Sequence, residues 1–225
     1  MRICGGMWAL CELGRVGNAL TAGSGPAAAA LLCGLPLTVV LRLFFCGFCA
    51  YVGGVALNDL LDRKEDAVRR PERPIPRGAV SPKTAALFAI ANLTASPIIA
   101  LSVSHKVALW FVLVCLLAVG YDVLKPILVM RFLLMGGVRG ANWAAGLVAA
   151  SSTVLLWAPI VVFCWTLFLT FAGLKGWHMV VAAGIVGFCL FDGCVVLWRL
   201  GWENSLPFFG LGALAGISGR FFKMA

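Results

Sequence analysis

The sequence predicts an all-α integral membrane protein, a bundle of about eight (eight to nine) transmembrane helices forming a single domain over residues 1–225. Composition is the first reason. Of the 225 residues, 62% are hydrophobic and 12% are charged, whereas roughly a quarter of residues are charged in soluble domains. The mean hydropathy is +1.00. The second reason is that apolar stretches recur along the chain, each near the ~17–25 residues that a helix needs to cross a bilayer.

Eight apolar stretches are predicted to form transmembrane helices. In chain order they cover residues 13–34, 36–58, 83–104, 106–122, 132–151, 154–174, 179–198 and 205–222. The spacings Gly136-x-x-x-Gly140 and Gly212-x-x-x-Gly216 are typical of helices that pack closely in lipid. The first residues lack the apolar core and small-residue cleavage site of a signal peptide, so we expect the first helix to be retained.

The distribution of basic residues predicts the orientation. When the loops are assigned alternately to the two sides, one side receives fourteen of the 18 Lys and Arg, seven of them between residues 63 and 83. The other side receives three. The positive-inside rule therefore predicts that both chain ends and the 58–82 loop are cytoplasmic, and we expect the inner membrane of a bacterium. Orientation, with contact to membrane lipids as a secondary effect, accounts for the +9 net charge without a nucleic-acid partner.

The 58–82 loop begins with a concentration of carboxylates. Residues 58–78, NDLLDRKEDAVRRPERPIPRG, hold five of the nine acidic residues. If the second helix continues to about residue 69, Asp59, Asp62 and Asp66 fall on one helical face. Like charges so close to a membrane are costly unless a cation neutralises them. Mg²⁺ commonly takes one or two carboxylates together with substrate phosphates, so the pattern predicts Mg²⁺ and a phosphate-bearing ligand.

Basic residues on a proline framework follow the carboxylates. The segment contains Arg69, Arg70, Arg73 and Arg77, interleaved with Pro71, Pro74 and Pro76. Prolines end a helix and stiffen the following chain, and arginine suits bidentate phosphate contacts. The alternative is a solvated loop whose charges pair with one another and set the topology. The order of acids and then bases favours a metal–diphosphate site.

These residues resemble the first aspartate-rich motif of the UbiA superfamily of membrane prenyltransferases. The matching positions are Asn58, Asp59, Asp62, Asp66 and the segment 70–78, RPERPIPRG. Two shorter segments are also similar to family motifs. Arg15-Val-Gly-Asn18 resembles R-P-x-N in the first helix, and Tyr121-x-x-x-Lys125 resembles Y-x-x-x-K at the end of the fourth.

The resemblance implies a function. Members of this superfamily are all-α bundles that use magnesium to transfer an isoprenoid from a prenyl diphosphate to an aromatic or lipid-like acceptor. It implies that Asp59, Asp62 and Asp66 are the catalytic residues that hold Mg²⁺. The remaining expected site residues bind the diphosphate (Asn58, Arg69, Arg73, Lys125 and Arg139) or line the acceptor pocket (Asn18, Tyr121 and Asp122).

Three of the polar residues at membrane depth carry further hypotheses, since ionisable groups there are functional candidates by default. Arg139 lies within the fifth predicted helix and would meet an anionic substrate group or one of the carboxylates. Asp122 would supply a substitute metal ligand or be a polar residue at a helix end. Asp192 is expected either to be functional or to pair with Arg199, seven residues later on the same helix.

The sequence departs from the family pattern after the sixth predicted helix. Family members carry a second motif there, D-x-x-x-D, whereas this segment reads TFAGLKGWHM and has no acid. Two functions therefore stay open. One is an active prenyltransferase, favoured by the intact first motif. The other is a UbiA-like protein without transferase chemistry that binds or transports an isoprenoid or pathway intermediate.

The second function has a model in cyanobacterial proteins of the EboC kind. Their R-G-x-N segment is similar to residues 139–142, and their Y-D-x-x-x-K segment is similar to residues 121–125, which are one residue shorter. A third class, the membrane enzymes that transfer phospho-alcohol groups, requires D-G-x-x-A-R followed by G-x-x-x-D-x-x-x-D. Neither pattern occurs in this chain.

Overall fold

The computed structural model describes the backbone of residues 2–221 and the side chains of residues 6–218. Within this part the chain is helical and contains no strand. Its helices are α1 (Arg2–Leu13), α2 (Val16–Leu32), α3 (Leu37–Leu61), α4 (Arg63–Arg69), α5 (Pro82–Leu101), α6 (His105–Leu124), α7 (Leu128–Ala150), α8 (Trp157–Leu174), α9 (His178–Leu200) and α10 (Trp202–Phe221). The all-α prediction is confirmed.

The eight predicted helices correspond to α2, α3 and α5 to α10, with ends that differ by a few residues. Residue 222, which ends the last predicted helix, and the basic Lys223 lie outside the described residues. Helices α1 and α4 were not predicted as separate elements. Helix α4 continues the course of α3 after a turn at Asp62, whose backbone N–H still donates to the Asn58 carbonyl.

Five helices in the described part are long and apolar enough to cross a membrane: α3, α5, α6, α8 and α9. The other long helices are less apolar or shorter. Helix α2 has 17 residues, and α7 carries Arg131 and Arg139. The structure therefore supports a multi-pass membrane bundle with at least these five candidate spans, fewer than the eight to nine predicted.

Helices α2, α3, α5 and α6 run in alternating directions. Arg15, which precedes α2, contacts Asp59 near the end of α3, and Lys125 at the end of α6 contacts Asp62. At the opposite end, Arg42 near the start of α3 donates to the Ser102 carbonyl after α5. The acidic motif, the start of α2 and the end of α6 therefore share one end of the bundle, named here the acidic end.

Small residues let the helices approach closely. A Cβ at Gly136 would lie 2.9 Å from the Phe163 ring, and one at Gly140 would lie 3.0 Å from the Pro159 carbonyl oxygen, both on α8. This confirms the packing predicted from their spacing. Gly146 approaches α2 more closely still, since a Cβ added there would lie only 2.5 Å from the Ala29 Cβ. Close approach of this kind strengthens helix packing in lipid and holds α2 at the centre of the bundle.

Candidate functional site

Arg73 is the basic centre of the acidic end. Its Nη1 atom donates to Asp59 Oδ1 at 3.0 Å and to Asp66 Oδ2 at 2.6 Å. Arg15 Nη2 donates to the same Asp59 oxygen at 2.9 Å. Both carboxylates are buried, with 4% of Asp59 and 5% of Asp66 exposed. Charges removed from water in this way require partners, and two arginines supply them.

Lys125 pairs with the third carboxylate of the motif. Its Nζ atom lies 2.6 Å from each carboxylate oxygen of Asp62. The motif carboxylates therefore lie around basic side chains: Asp59 and Asp66 share Arg73, and Asp62 pairs with Lys125. Tyr121 lies one turn before Lys125, and its backbone carbonyl accepts the Lys125 N–H at 2.8 Å.

Asn58 connects the motif to α6. Its Nδ2 atom donates to Asp122 Oδ1 at 2.7 Å. The second oxygen of Asp122, Oδ2, is buried without a hydrogen-bond partner, and so is Oδ1 of Asn18 on α2. Buried polar atoms are rarely left unpaired. These two orphaned oxygens mark the acidic end as a place that can accept a cation or a donor.

The proline-rich segment is docked onto the bundle. Ile75 and Val80 are buried in an apolar cluster that includes Leu13 of α1 and Ala89 of α5. Arg77 adds a bidentate ion pair with Glu12 of α1, at 3.0 and 2.6 Å. Because the segment is fixed at both its apolar and its charged residues, Arg73 is held over the carboxylates. The loop is therefore ordered by tertiary contacts and is not a freely solvated one.

Arg15 is a site residue to which sequence reasoning assigned no role. It has φ 44° and ψ 54°, the left-handed conformation that is unusual for a residue with a side chain. This turn separates α1 from α2 and directs the guanidinium to Asp59. The signal was present in the quoted Arg15-Val-Gly-Asn18 motif, but the turn cannot be read from the sequence.

Two predicted diphosphate ligands lie apart from the cluster. Arg69 extends from α4 into solvent, with 75% of its side chain exposed, and pairs with Glu65 at 2.6 Å. Arg139 lies deeper in the bundle, with its guanidinium over the rings of Tyr51 and Phe188 at 5.1 and 4.8 Å from their centres. The chain positions both residues away from the motif that they were predicted to serve.

A second polar cluster surrounds Asp192. Ser24 Oγ donates to Asp192 Oδ2, and Trp143 Nε1 donates to Oδ1 at 2.9 Å. The predicted partner Arg199 lies instead over the ring of Trp198. A residue seven positions along a helix is two turns away, whereas Ser24 and Trp143 come from packed neighbouring helices. Asp192 therefore links α2, α7 and α9.

The donor set at the acidic end is compatible with magnesium. In the described side chains, no three acidic, histidine or cysteine groups lie close enough to form a metal cage by themselves. Mg²⁺ seldom needs such a cage, because it typically takes one or two carboxylates and completes its shell with water and phosphate oxygens. Carboxylate oxygens from two helices and the orphaned Asp122 Oδ2 fit an ion of that kind.

The fold and the site together define a class: an all-helical integral membrane protein with a polar, charge-paired site at one end of its apolar bundle. A profile described as the UbiA prenyltransferase family matches residues 18–182. The chain belongs to this family. The match extends past the resembling motifs into the start of α9.

Named relatives in the family are prenyltransferases. A digeranylgeranylglyceryl phosphate synthase from Methanothrix thermoacetophila is 39% identical over 95 residues, which cover 40% of this chain and 35% of that enzyme. A protoheme IX farnesyltransferase from Pseudomonas putida is 34% identical over 134 residues, 53% of this chain and 43% of that enzyme. These matches span between about a third and a half of the relatives' lengths.

Solved structures share the fold along nearly the whole chain. One, from work on digeranylgeranylglyceryl phosphate synthase in membranes, has a TM-score of 0.65 and 17% identity, covering 97% of this chain and 94% of that one. A UbiA homologue from Archaeoglobus fulgidus, bound to GPP and Mg²⁺, has a TM-score of 0.63 and 15% identity. The alignment covers 100% of the homologue's chain and 96% of this chain.

Proposed function

We propose that this protein is a magnesium-dependent membrane prenyltransferase, which moves an isoprenoid from a prenyl diphosphate to an aromatic or lipid-like acceptor. The observation that carries the proposal is the acidic end. Arg15, Arg73 and Lys125 lie against the carboxylates of the N-D-x-x-D-x-x-x-D motif, in a bundle with a UbiA fold. The names of the relatives support the reaction class.

The proposed roles follow the contacts. Asp59, Asp62 and Asp66 would hold Mg²⁺, whose positive charge would stabilise the leaving diphosphate. Asn58 would orient the neighbouring carboxylates. Arg73 and Lys125, joined by Arg15, would donate to the diphosphate oxygens. Arg69 and Arg139 are left out of this set because of the positions described above.

The chain's own residues would promote departure of the diphosphate by preorganised positive charge. Breaking the bond between the allylic carbon and the diphosphate oxygen places new negative charge on that oxygen, and fixed donors stabilise it most strongly there. The acceptor's electron-rich atom then bonds to the allylic carbon and loses a proton. Asn18, Tyr121 and Asp122 lie on the helices that border this space and are the proposed pocket residues.

We further propose the membrane arrangement. All eight long helices would cross the bilayer of a bacterial inner membrane as one domain, with the 58–82 loop cytoplasmic. The concentration of basic residues at the acidic end supports that orientation, and it gives the site access to a water-soluble metal. The membrane lipids would be the medium from which prenyl chain and acceptor enter.

A second candidate function is binding or transport of an isoprenoid without turnover. The observation that favours it is the link between α8 and α9, residues 175–177, which has no acid where the family's second motif is expected. The two functions agree on binding and differ on chemistry.

The test measures binding of isoprenoid diphosphates of several lengths to the purified protein, with and without Mg²⁺. We expect Mg²⁺-dependent binding that Asp62→Ala abolishes and that Glu203→Gln, a change in an exposed acid at the start of α10, preserves. Binding that is independent of metal and unaffected by Asp62→Ala would remove the proposal. Mg²⁺-dependent binding without turnover across aromatic and lipid acceptors would instead establish the second function.

A further inference from the structure

We propose that Asp122 is a metal ligand, contributed by α6, that takes the place of the acid missing from the link between α8 and α9. The inference rests on the proposed function, since it concerns the same metal–diphosphate site. It differs in assigning a ligand outside both aspartate-rich motifs. The site would then draw its carboxylates from α3, α4 and α6.

The first supporting observation is an unpaired carboxylate oxygen. Only 6% of Asp122 is exposed. Its Oδ1 atom accepts the hydrogen bond from Asn58, whereas Oδ2 has no hydrogen-bond partner. A buried carboxylate with an unsatisfied oxygen is unfavourable unless a cation or a donor reaches it. Asp122 therefore has a free oxygen that can bind a cation, and binding would relieve the cost of leaving that oxygen buried and unpaired.

The second observation is that neighbouring bases are engaged elsewhere. Lys125 lies one turn after Asp122 on α6, but its Nζ atom contacts both oxygens of Asp62. Arg15 and Arg73 contact Asp59. Asp122 consequently differs from the motif carboxylates, each of which is paired with an Arg or Lys.

The other acidic residues at this end of the bundle also differ from Asp122. Glu12 is paired with Arg77, and Glu65 is paired with Arg69 on the exposed side of α4. Within the described side chains, Asp122 Oδ2 is the only carboxylate oxygen that is both buried and without a partner. The link between α8 and α9 thus lacks an acid, and Asp122 provides an unpaired one at the same end of the bundle.

The third observation is position. Asn58 precedes Asp59 directly and lies one turn before Asp62, so the hydrogen bond from Asn58 places Asp122 beside the motif. Asp122 approaches from α6, across from α3. An ion between the two helices would receive ligands from both sides, and phosphate oxygens would complete its coordination. Asn58 would then act as a positioning residue that orients the Asp122 carboxylate.

The test uses Mn²⁺ as a paramagnetic substitute for Mg²⁺ and inorganic pyrophosphate as the phosphate ligand. Bound Mn²⁺ is measured by electron paramagnetic resonance on the purified full chain in detergent. We expect Asp122→Asn to weaken Mn²⁺ binding at least about tenfold, the lower end of the effect seen when residues that support metal ligands are changed. Glu72→Gln, which removes an exposed charge from the same end, should leave Mn²⁺ affinity within about twofold, because surface charges are strongly screened.

A second variant tests direct contact. Asp122→Cys replaces an oxygen ligand with a thiolate, which prefers softer metals. We expect this variant to gain Cd²⁺ binding relative to the unmodified protein, with thiolate-to-Cd²⁺ charge-transfer absorption. The native cysteines are present in both proteins, so the difference reports position 122.

The outcomes separate the two proposals. Unchanged Mn²⁺ affinity in Asp122→Asn, together with lost affinity in Asp62→Ala, would overturn the role of Asp122 and leave the proposed function intact. The same unchanged affinity would indicate that Asp122 acts only as the hydrogen-bond acceptor of Asn58. Absence of Mn²⁺ binding in the unmodified protein would overturn both proposals.

Discussion

Arg73, in a segment that has no regular secondary structure, pairs with two buried carboxylates. Its position depends on Ile75 and Val80, which anchor the proline-rich segment, and on the ion pair of Arg77 with Glu12. The guanidinium therefore connects the charge balance of α3 and α4 with the packing of the loop. Removing it would leave Asp59 with Arg15 alone and Asp66 without its ion-pair partner.

Arg73→Gln is expected to lower the free energy of unfolding by about 3 kcal/mol, because breaking a buried ion pair leaves an uncompensated charge. Arg69→Gln is the matched control. Its ion pair with Glu65 is exposed, and such pairs contribute less than about 1 kcal/mol. Reversible unfolding in mixed micelles measures both values. Equal losses in the two variants would contradict the central role of Arg73.

At this scale the sequence predicts residue identities better than their partners. Asp59, Asp62 and Arg73 were predicted as one site because their motif is local, and Lys125 was added from a separate segment; in the structure Arg73 pairs with Asp59 and Lys125 pairs with Asp62. Pairing depends on which helices become neighbours, so the link from Asn58 to Asp122 was not predicted. For the same reason the partners of Asp192 were assigned along its own helix, although they come from other helices.

The helix α2 owes its central place to small side chains. Residues 27–30 are four alanines that are all buried, and α7 approaches them through Gly146. A Cβ added at Gly146 would also lie 2.7 Å from the Pro26 carbonyl oxygen. Backbone atoms cannot move aside as a flexible side chain can, so this contact tolerates little added volume.

Gly146→Ala is expected to destabilise the protein by about 1–3 kcal/mol, the usual effect of overpacking a tight contact. Gly137→Ala lies on the same helix, where the nearest atom to an added Cβ is 4.0 Å away. There the better helix propensity of alanine should increase stability by up to about 1 kcal/mol. Thermal unfolding of the two variants in one detergent distinguishes these signs, and a stabilised Gly146→Ala would show that α2 and α7 can separate.

Asp192→Leu is expected to lower stability by about 2–6 kcal/mol, since each of two buried donors left without an acceptor costs about 1–3 kcal/mol. The change leaves the Ser24 hydroxyl and the Trp143 indole N–H without their acceptor, and it removes a carboxylate that lines the same small cavity as Arg139. Adding Arg139→Met should restore part of the loss, because it removes a buried positive charge that the lost carboxylate no longer offsets. Unfolding measurements on a double-mutant cycle test this coupling. Additive effects would show that Arg139 and Asp192 do not interact.

At the level of elements, apolar length was sufficient to predict every long helix. It could not predict the boundary at Asp62, since the chain remains helical on both sides and only one turn deviates. Helix α1 was also missed as a separate helix. Its separation from α2 depends on the backbone conformation of Arg15, which composition does not reveal.

The sequence predicts one strongly basic end for the whole molecule. Fourteen of the 18 Lys and Arg lie in loops predicted for that side. In the structure, Arg73 and Lys125 belong to the acidic end, whereas Arg42 and Lys106 lie near the ends of helices at the opposite side. For these four residues, the sides assigned from the sequence and the ends of the bundle seen in the structure agree.

Reporter fusions test the predicted orientation. A phosphatase that is active only outside the cytoplasm should be inactive when fused after residue 72, and active when fused after residue 103 or 152. This pattern follows from the positive-inside rule applied to alternating helices. A fluorescent protein that folds only in the cytoplasm, fused at the same sites, should give the inverse pattern. Activity of the phosphatase after residue 72 would contradict the orientation.

The sequence resemblance and the fold differ in how far they extend. Recognisable motifs end near α7, and the curated relatives align with 53% of the chain or less in the two cases given above. The solved structures nevertheless cover 96–97% of it. Many different sequences can form packed apolar helices, whereas a charged site requires particular residues at particular positions. The helices of the C-terminal third could therefore be predicted from the sequence, but this part of the chain has no motif that shows its family.

The left-handed turn at Arg15 also bears on how this protein could be engineered. Glycine adopts that backbone conformation at less cost than arginine, so a search for more stable variants would favour Arg15→Gly on backbone grounds. The same change would remove a charge partner from Asp59. Thermal robustness and the electrostatics of the acidic end therefore compete at a single position, and stabilised variants that keep the site are expected to carry their changes elsewhere.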